Sequence, residues 1–325
     1  MNSSRNIVVL GNWMDDRHRE MILATAGRLG FTCSFFDNES EAGKAGALDR
    51  AEVIFGNAPQ TAASSMTLKW LCLPSAGADL YTGPGAICSD DLILTNSSGA
   101  YGVGMAEHMI MQILMLIRRM PEFQEGIRER GWPRPRQQVS VKDSRITVMG
   151  TGDIGSAFAR RIRAFEPARI VGFNRSGKCE EAAFDRVVTG DDLDRVLPET
   201  DILAMCLPST PETIGVLSAE RIGLLPESAY VINVGRGDAI EEAALIKALN
   251  EGRLAGAALD VMCHEPLPED DPLWETKNLI LTPHVAGNMT IPYTKDRLAE
   301  MFCEDLENYG TGRPMVRRVD RKRGY

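Results

Sequence analysis

The stretch that most constrains this chain runs from Ile146 to Ala159. An apolar strand pattern, Ile146 to Met149, passes directly into Gly150-Thr151-Gly152-Asp153-Ile154-Gly155, and a helical pattern, Ser156-Ala157-Phe158-Ala159, follows. Glycines at this spacing have separate duties. The first permits a tight turn, the second admits a pyrophosphate to the backbone, and the third lets helix and strand pack closely. The amides at the helix start and the positive end of its dipole then face the phosphates. A glycine-rich turn alone says little. With the strand before it, the helix after it and βαβ spacing around it, this part of the chain is expected to form a parallel sheet that carries a dinucleotide at its edge.

The rest of the sequence keeps the same rhythm. Short apolar runs recur at Ile7 to Leu10, Val53 to Phe55, Trp70 to Leu73, Leu92 to Thr95, Ile170 to Phe173, Ile202 to Cys206, Tyr230 to Asn233, Ala255 to Asp260 and Leu279 to Leu281. Amphipathic segments such as His18 to Leu29, Ile154 to Phe165 and Glu241 to Asn250 separate them. Runs apolar on both faces, alternating with helices, predict α/β folding around buried parallel sheets. At 325 residues the chain is long enough for two such domains. Two long helices, Val103 to Met120 and Pro292 to Tyr309, bracket the block from about 103 to 290. A hinge is expected there, with the final helix returning to the first domain. The basic tail Arg313 to Arg323 reads as solvated or subunit-bridging.

Composition removes several function classes. Thirty-six basic against 45 acidic residues leave a net charge of -9, the wrong sign for a nucleic-acid partner. No apolar run is long enough to span a bilayer, so no membrane partner is expected. The seven cysteines are scattered, with no CxxC pair or Cys/His cluster. They predict a reducing, cytoplasmic setting and no metal site.

The side chain that selects the nucleotide should end the strand Ile170 to Phe173. A carboxylate there would hold the ribose hydroxyls of NAD, whereas an arginine nearby accommodates the extra phosphate of NADP. This chain has Asn174-Arg175-Ser176-Gly177-Lys178. A guanidinium, a hydroxyl and an ammonium suit a phosphate; the other reading is a solvated basic turn. NADP(H) is the preferred cofactor, with NAD(H) possible.

Dehydrogenation of an alcohol also needs a group that carries the proton, and histidine is suited to it. Of four histidines, His18 reads as exposed among charges, His108 as packed or interfacial, and His264 as pointing at no ligand. His284, in Thr282-Pro283-His284-Val285-Ala286-Gly287, follows a strand at the end where open α/β sheets place ligands. Arg236 lies in Val234-Gly235-Arg236-Gly237 after Tyr230 to Asn233, where flanking glycines are expected to leave the backbone open to a ligand. It can fork onto a carboxylate or serve as a surface ion. Glu265 lies in the loop after Ala255 to Asp260.

Taken together, these residues resemble the D-isomer-specific 2-hydroxyacid dehydrogenases, including glyoxylate/hydroxypyruvate reductases. The matching motifs are Gly150 to Gly155, Leu207-Pro208-Ser209-Thr210-Pro211-Glu212-Thr213, Asn233 to Gly237, Leu259-Asp260-Val261 with Glu265-Pro266-Leu267, Pro272-Leu273-Trp274 and Thr282-Pro283-His284. Ser75-Ala76-Gly77-Ala78-Asp79 and Ala106-Glu107-His108 match as well. The resemblance implies a Rossmann-type cofactor domain, residues 102-287, inserted into a flavodoxin-like substrate domain made of 1-101 and 288-325, with the chemistry in the cleft between them.

It further implies that Arg236 binds the substrate carboxylate and polarises the 2-keto oxygen. His284 would exchange that oxygen's proton, and Glu265 would hold the imidazole's other nitrogen and favour its charged form. Formate dehydrogenases of this superfamily carry glutamine in place of Glu265, so the glutamate points to hydroxy-acid chemistry. The carboxylate cradle falls to the amides of Ala76 and Gly77, with Asn57 a weaker substrate candidate and Trp132 either covering the pocket or packing at an interface. For the cofactor the resemblance implies Asp153 and Ile154 at the pyrophosphate and Cys206, Leu207, Pro208 and Thr213 beside the ribose. It places Val234, Gly235 and Arg236 near the nicotinamide ribose, and Asp260 with His284 to Gly287, Ala286 included, at the nicotinamide. Two residues depart from the family pattern: Gly104 before the Ala-Glu segment, and Asn174 where an aspartate is common. A homodimer acting on a small 2-oxo or 2-hydroxy acid is expected. The rival is a nucleotide-sensing binding protein, since the family also includes corepressors.

Overall fold

A computed structural model of the chain describes residues 5–190 and 192–325. The chain divides into two compact units, one ending at Tyr101 and resuming over Asn288–Tyr325, the other spanning Gly102–Gly287.

The first unit is built on five strands: β1 (Arg5–Leu10), β2 (Phe31–Phe36), β3 (Val53–Phe55), β4 (Trp70–Cys72) and β5 (Ile93–Thr95). They pair in parallel in the order β2-β1-β3-β4-β5, the flavodoxin-like order. The helix Pro292–Gly310 closes this sheet, because Phe302 stacks on Phe55 at 4.3 Å and on Trp70 at 5.4 Å between ring centroids.

Two expectations are corrected in this unit. His18 is 1% exposed rather than solvated. It is the third residue of helix Asp16–Arg28 and forms a reciprocal cap with Asp15, while its Nε2 lies 2.9 Å from Asp296. The basic tail, read as solvated or subunit-bridging, keeps Arg313, Arg318, Lys322 and Arg323 exposed but is docked onto its own unit between them. The Val319 amide donates to the Leu94 carbonyl, Arg318 bridges Thr95 in antiparallel sense, and Val319 is buried. Arg317 donates to Asp305 at 3.1 Å and to the Met301 carbonyl at 2.9 Å.

The second unit contains β6 (Arg145–Met149), β7 (Arg169–Phe173), β8 (Arg186–Val188), β9 (Ile202–Met205), β10 (Tyr230–Asn233), β11 (Gly256–Leu259) and β12 (Leu279–Leu281). All pairs are parallel, in the order β12-β11-β10-β9-β6-β7-β8. Chain order reverses direction between β6 and β9, which opens a crevice at their carboxyl ends where such sheets bind ligands. The helix read over Val103 to Met120 runs over Gly102–Ile117, stopping short before Arg119, whose φ is 54°, and a second helix that the sequence reading lacks, Met120–Arg128, follows it. No described helix is long and apolar enough to cross a membrane.

Candidate active site

The three glycines after β6 divide their duties as the motif requires. Gly150 has φ +96°, and a side chain there would lie 2.7 Å from the Cys206 carbonyl oxygen. Gly155 is packed so tightly that a Cβ would sit 1.9 Å from the Gly150 carbonyl oxygen. Above Gly152, by contrast, a Cβ would meet no atom of the described residues within 4 Å. Gly152 is the N-cap of helix Asp153–Ile162 and supplies no side-chain cap. The helix therefore starts at an exposed, uncrowded glycine whose first-turn amides lack a side-chain cap, which fits a dinucleotide's pyrophosphate. The Asp153 carboxylate turns elsewhere, accepting the Gly102 amide at 3.0 Å and so capping helix Gly102–Ile117.

At the end of β7, Asn174 is consumed by its own loop. Its amide group donates to Thr151 Oγ1 at 2.6 Å and to the Lys178 carbonyl at 2.8 Å, and its oxygen accepts the amides of Ser176 and Gly177 at 3.0 and 2.7 Å. This Asx turn leaves Arg175, Ser176 and Lys178 exposed around its rim. After β9, the Thr213 hydroxyl donates to the Pro208 carbonyl at 2.6 Å and accepts the Thr210 amide at 2.8 Å, closing the loop that Cys206, Leu207 and Pro208 begin. Burial pushes the Cys206 thiol up to about 12, so it is a neutral packing group against the Met109 sulfur, 3.9 Å away.

The loop after β10 corrects one reading. Gly235 and Gly237 do not leave the backbone open to a ligand. A Cβ on Gly235 would lie 2.5 Å from the Leu207 carbonyl oxygen, and one on Gly237 would lie 2.0 Å from the Met262 carbonyl carbon. Each glycine instead lets a neighbouring loop lie against it. Arg236 projects from between them, its Nη1 donating to the Gly235 carbonyl at 2.8 Å. The fully buried Asn233 clasps this turn, donating to the Arg236 carbonyl at 2.8 Å and accepting the Gly235 amide at 3.0 Å. Val234, also buried, hands its amide to the Met205 carbonyl.

Glu265 and His284 come together. His284 Nδ1 lies 2.6 Å from Glu265 Oε2, and Glu265 Oε1 accepts the Met262 amide at 2.9 Å. A carboxylate only accepts, so Nδ1 carries the proton and Nε2 is the ring atom left for a reacting group. His284 has φ 52°, a left-handed conformation that costs a non-glycine residue about 1–3 kcal/mol and persists only where neighbours enforce it. Asp260 is the neighbour that enforces it. Its carbonyl accepts the His284 amide at 2.9 Å, Oδ1 accepts the Val285 amide at 3.0 Å and the Thr282 hydroxyl at 2.6 Å, and Oδ2 accepts the Ala286 amide at 2.9 Å. Asp260 is 1% exposed, so its side chain lies beneath the segment that runs to Gly287. Thr282 in turn receives His108 Nε2 and Gln112 Nε2, each at 3.2 Å. Burial lowers the His108 imidazole below its ordinary range, against the opposing pull of Asp260.

Sequence reasoning passes over Asn233, Thr282 and Gln112 as site-building residues. For Asn233 a signal exists, a polar residue ending an otherwise apolar strand. Thr282 and Gln112 meet only in three dimensions.

In the first unit, the Ser97 amide donates to the Ser75 carbonyl at 2.9 Å, and the Asn96 side chain donates to the Ala76 carbonyl at 2.7 Å. In a trans peptide the N–H points opposite its own carbonyl. Both bonds therefore turn the amides of Ala76 and Gly77 away from the 96–97 segment, side by side. Asn57 is exposed just past β3, and Trp132, in the other unit, is 92% exposed.

Comparison with known proteins follows the same lines. Residues 110–286 match the family model for the D-isomer specific 2-hydroxyacid dehydrogenase NAD binding domain. The glyoxylate/hydroxypyruvate reductase A of Salmonella newport is 33% identical over 225 residues, 69% of this chain and 70% of that protein. A D-isomer specific 2-hydroxyacid dehydrogenase family protein from Aeromonas salmonicida superposes with a TM-score of 0.86 at 32% identity, covering 98% of this chain and all of the other. The NADPH-dependent glyoxylate/hydroxypyruvate reductase of Sinorhizobium meliloti, solved with NADP and sulfate, gives 0.81 at 26% identity, over 99% of this chain and 100% of that one. By sequence over more than two thirds of its length and by fold over nearly all of it, the chain belongs to the D-isomer-specific 2-hydroxyacid dehydrogenase family and is an NAD(P)-dependent oxidoreductase.

Proposed function

We propose that this protein is an NADP(H)-preferring reductase of small 2-oxo acids such as glyoxylate or hydroxypyruvate, forming the D-2-hydroxy acid. The observation that carries the proposal is the 2.6 Å pairing of His284 Nδ1 with Glu265, which leaves Nε2 as the proton-exchanging atom. When bound, the nicotinamide supplies the hydride or takes it up. Arg236 binds the substrate carboxylate and polarises the 2-keto oxygen, a role suited to a guanidinium fork. His284 gives that oxygen its proton in reduction and removes it in the reverse direction, while Glu265 supports the charged imidazole. The paired amides of Ala76 and Gly77 receive the carboxylate's remaining oxygen, and Asn57 assists.

For the cofactor, the amides of Asp153, Ile154 and Gly155 above Gly152 hold the pyrophosphate. The loop from Cys206 to Pro208 with Thr213 lies along the ribose, and Val234 to Arg236 and the segment His284 to Gly287, anchored by Asp260, frame the nicotinamide. Arg175, Ser176 and Lys178, folded into place by Asn174, take the 2′-phosphate; the lack of a carboxylate in that turn supports NADP(H) over NAD(H). The NADPH-dependent S. meliloti enzyme supports the same preference. The free cysteines support a reducing, cytoplasmic setting, and a homodimer is the assembly this reading expects.

The test is turnover of NADPH and NADH against a panel of 2-oxo acids, followed by nucleotide absorbance. Preference for NADPH with glyoxylate or hydroxypyruvate is expected, and His284→Gln should lose about 100-fold or more in kcat. Tight nucleotide binding without turnover of any acid would instead favour a nucleotide sensor, and a clear preference for NADH would defeat the reading of Asn174 to Lys178.

A further inference from the structure

We propose that His108 and Gln112, on helix Gly102–Ile117, are positioning residues for the proton donor, acting through the Thr282 hydroxyl and the Asp260 carboxylate on the backbone that carries His284. The inference rests on His284 being that donor.

The hydroxyl of Thr282 has one proton and two lone pairs. Asp260 Oδ1, 2.6 Å away, can only accept, so it takes the proton. Both remaining contacts, from His108 Nε2 and Gln112 Nε2 at 3.2 Å, must then be donations into the lone pairs. This fixes the proton of His108 on Nε2 and turns the Gln112 NH2 inward. The second consequence is visible: Gln112 Oε1 is buried with no hydrogen-bond partner among the described residues. A buried amide held with an orphaned oxygen is costly, and in return Thr282 is saturated and cannot rotate away from Asp260. Thr282 at 3.2 Å is the ring's hydrogen-bond partner, while Asp260 Oδ1, 3.7 Å away, lies beyond hydrogen-bond reach, and burial lowers the His108 imidazole, which disfavours its charged form.

The same Oδ1 also accepts the Val285 amide, Oδ2 accepts the Ala286 amide, and the Asp260 carbonyl accepts the amide of His284 itself, so one residue holds His284 and the two residues that follow it. The left-handed backbone at His284 is thus enforced from before and after by one residue. Releasing Thr282 lets the carboxylate turn, the two amides follow, and His284 relaxes toward ordinary φ, carrying the imidazole out of line with Glu265.

Misplacing a reacting group by about 1 Å can cost about 100-fold in rate. Thr282→Val, which keeps the β-branched shape, is therefore expected to lower kcat about 10- to 100-fold while the keto-acid KM stays within about 3-fold. The solvent deuterium isotope effect on kcat should rise, as proton delivery becomes limiting. Thr282→Ser should regain most of the loss. His108→Leu should behave like Thr282→Val, His108→Gln should be milder because its amide can still donate, and the double variant His108→Leu/Thr282→Val should be no slower than Thr282→Val alone. Rates are normalised to nucleotide-binding sites titrated in each preparation. If Thr282→Val does not fold, the contrast of His108→Leu with His108→Gln decides. His284→Gln run alongside separates the two readings. A fully active His284→Gln overturns the proposed donor, whereas an inactive His284→Gln beside wild-type kcat and isotope effects in the Thr282 and His108 variants overturns the positioning role alone.

Discussion

Replacing Gly152 by alanine tests what the open face above the helix Asp153–Ile162 is for. The new methyl would meet no atom of the described residues within 4 Å, and the backbone there, φ -74° and ψ -158°, suits any residue. Alanine is a poorer N-cap than glycine by roughly 0.5 kcal/mol, but it restricts the unfolded chain by about 0.4–1 kcal/mol in the opposite sense. The two effects nearly cancel, so the melting temperature without nucleotide should hardly move. Binding is another matter, because the methyl would stand where a pyrophosphate approaches the first-turn amides. Each charge-assisted hydrogen bond lost is worth about 1.5–3 kcal/mol, hence a drop in NADPH affinity of roughly 10- to 100-fold. Gly155→Ala is the contrasting variant. Its Cβ would lie 1.9 Å from the Gly150 carbonyl oxygen, so helix and strand must part by about 1 Å, and overpacking of about 1–3 kcal/mol should lower the melting temperature by about 2–12 °C. Thermal melts with and without NADPH, together with titration calorimetry, read both quantities. An alanine at 152 that binds NADPH within about 2-fold of wild type would refute the pyrophosphate site, and one that melts as early as the 155 variant would refute the open face.

Glu265→Gln should lower kcat for reduction about 100-fold with little change in keto-acid KM. The new NH2 would face His284 Nδ1 in place of a carboxylate, and single-turnover NADPH oxidation would show the loss in the chemical step. Arg317→Ala should cost about 3 kcal/mol in thermal or denaturant unfolding, because it strands Asp305, 1% exposed, without its guanidinium. Arg318→Ala, at an exposed position, should change stability by less than about 0.5 kcal/mol. Burial of Asp201 would raise its carboxyl, but the guanidinium and amide of Arg145 outweigh it and hold the group below the ordinary carboxylate range. A depressed carboxyl contributes stability above its unfolded pKa of about 3.9, and that contribution disappears as pH falls through the folded value. The melting-temperature gap between wild type and Asp201→Asn should therefore be constant above about pH 5 and shrink below about pH 4.

Much of the fold is legible in the sequence because parallel sheet announces itself. Every strand read from sequence is present within a residue or two of its expected bounds, since each is apolar on both faces. The two strands that sequence patterning misses lie at sheet edges. β2 interleaves Thr32 and Ser34 with its aromatics, and β8 has three residues, the first of them Arg186; an edge strand need not be apolar on both sides. His18 and the basic tail mislead for a related reason. Both are polar in sequence, yet each finds partners distant along the chain, Asp296 for one, Asp305 and the edge of β5 for the other. Local polarity reports exposure only where no such partner exists.

The glycines show the same limit at the site itself, and they also show how the site is held. From sequence, Gly152, Gly235 and Gly237 invite one interpretation, a backbone bared for a ligand. Only Gly152 has open space; the other two are filled by the backbone of neighbouring loops. A glycine says that something comes close, and the residue alone does not say whether that is a ligand or another part of the chain. Here the distinction matters mechanically. Gly237 lies against Met262, the Met262 amide holds one oxygen of Glu265, and the other oxygen holds His284. Gly235 lies against Leu207 in the loop after β9. The loops at the carboxyl ends of β9, β10 and β11 are thus locked to one another through backbone contacts, and His284 is fixed to the same scaffold a second time through Asp260. The role proposed for His284 needs an imidazole that keeps its aim, and a side chain mounted on a strained backbone does so only if its support does not yield. In this unit the support is three interlocked loops with a buried carboxylate beneath them, so the geometry of the pair is set by the sheet rather than by the mobility of any one loop.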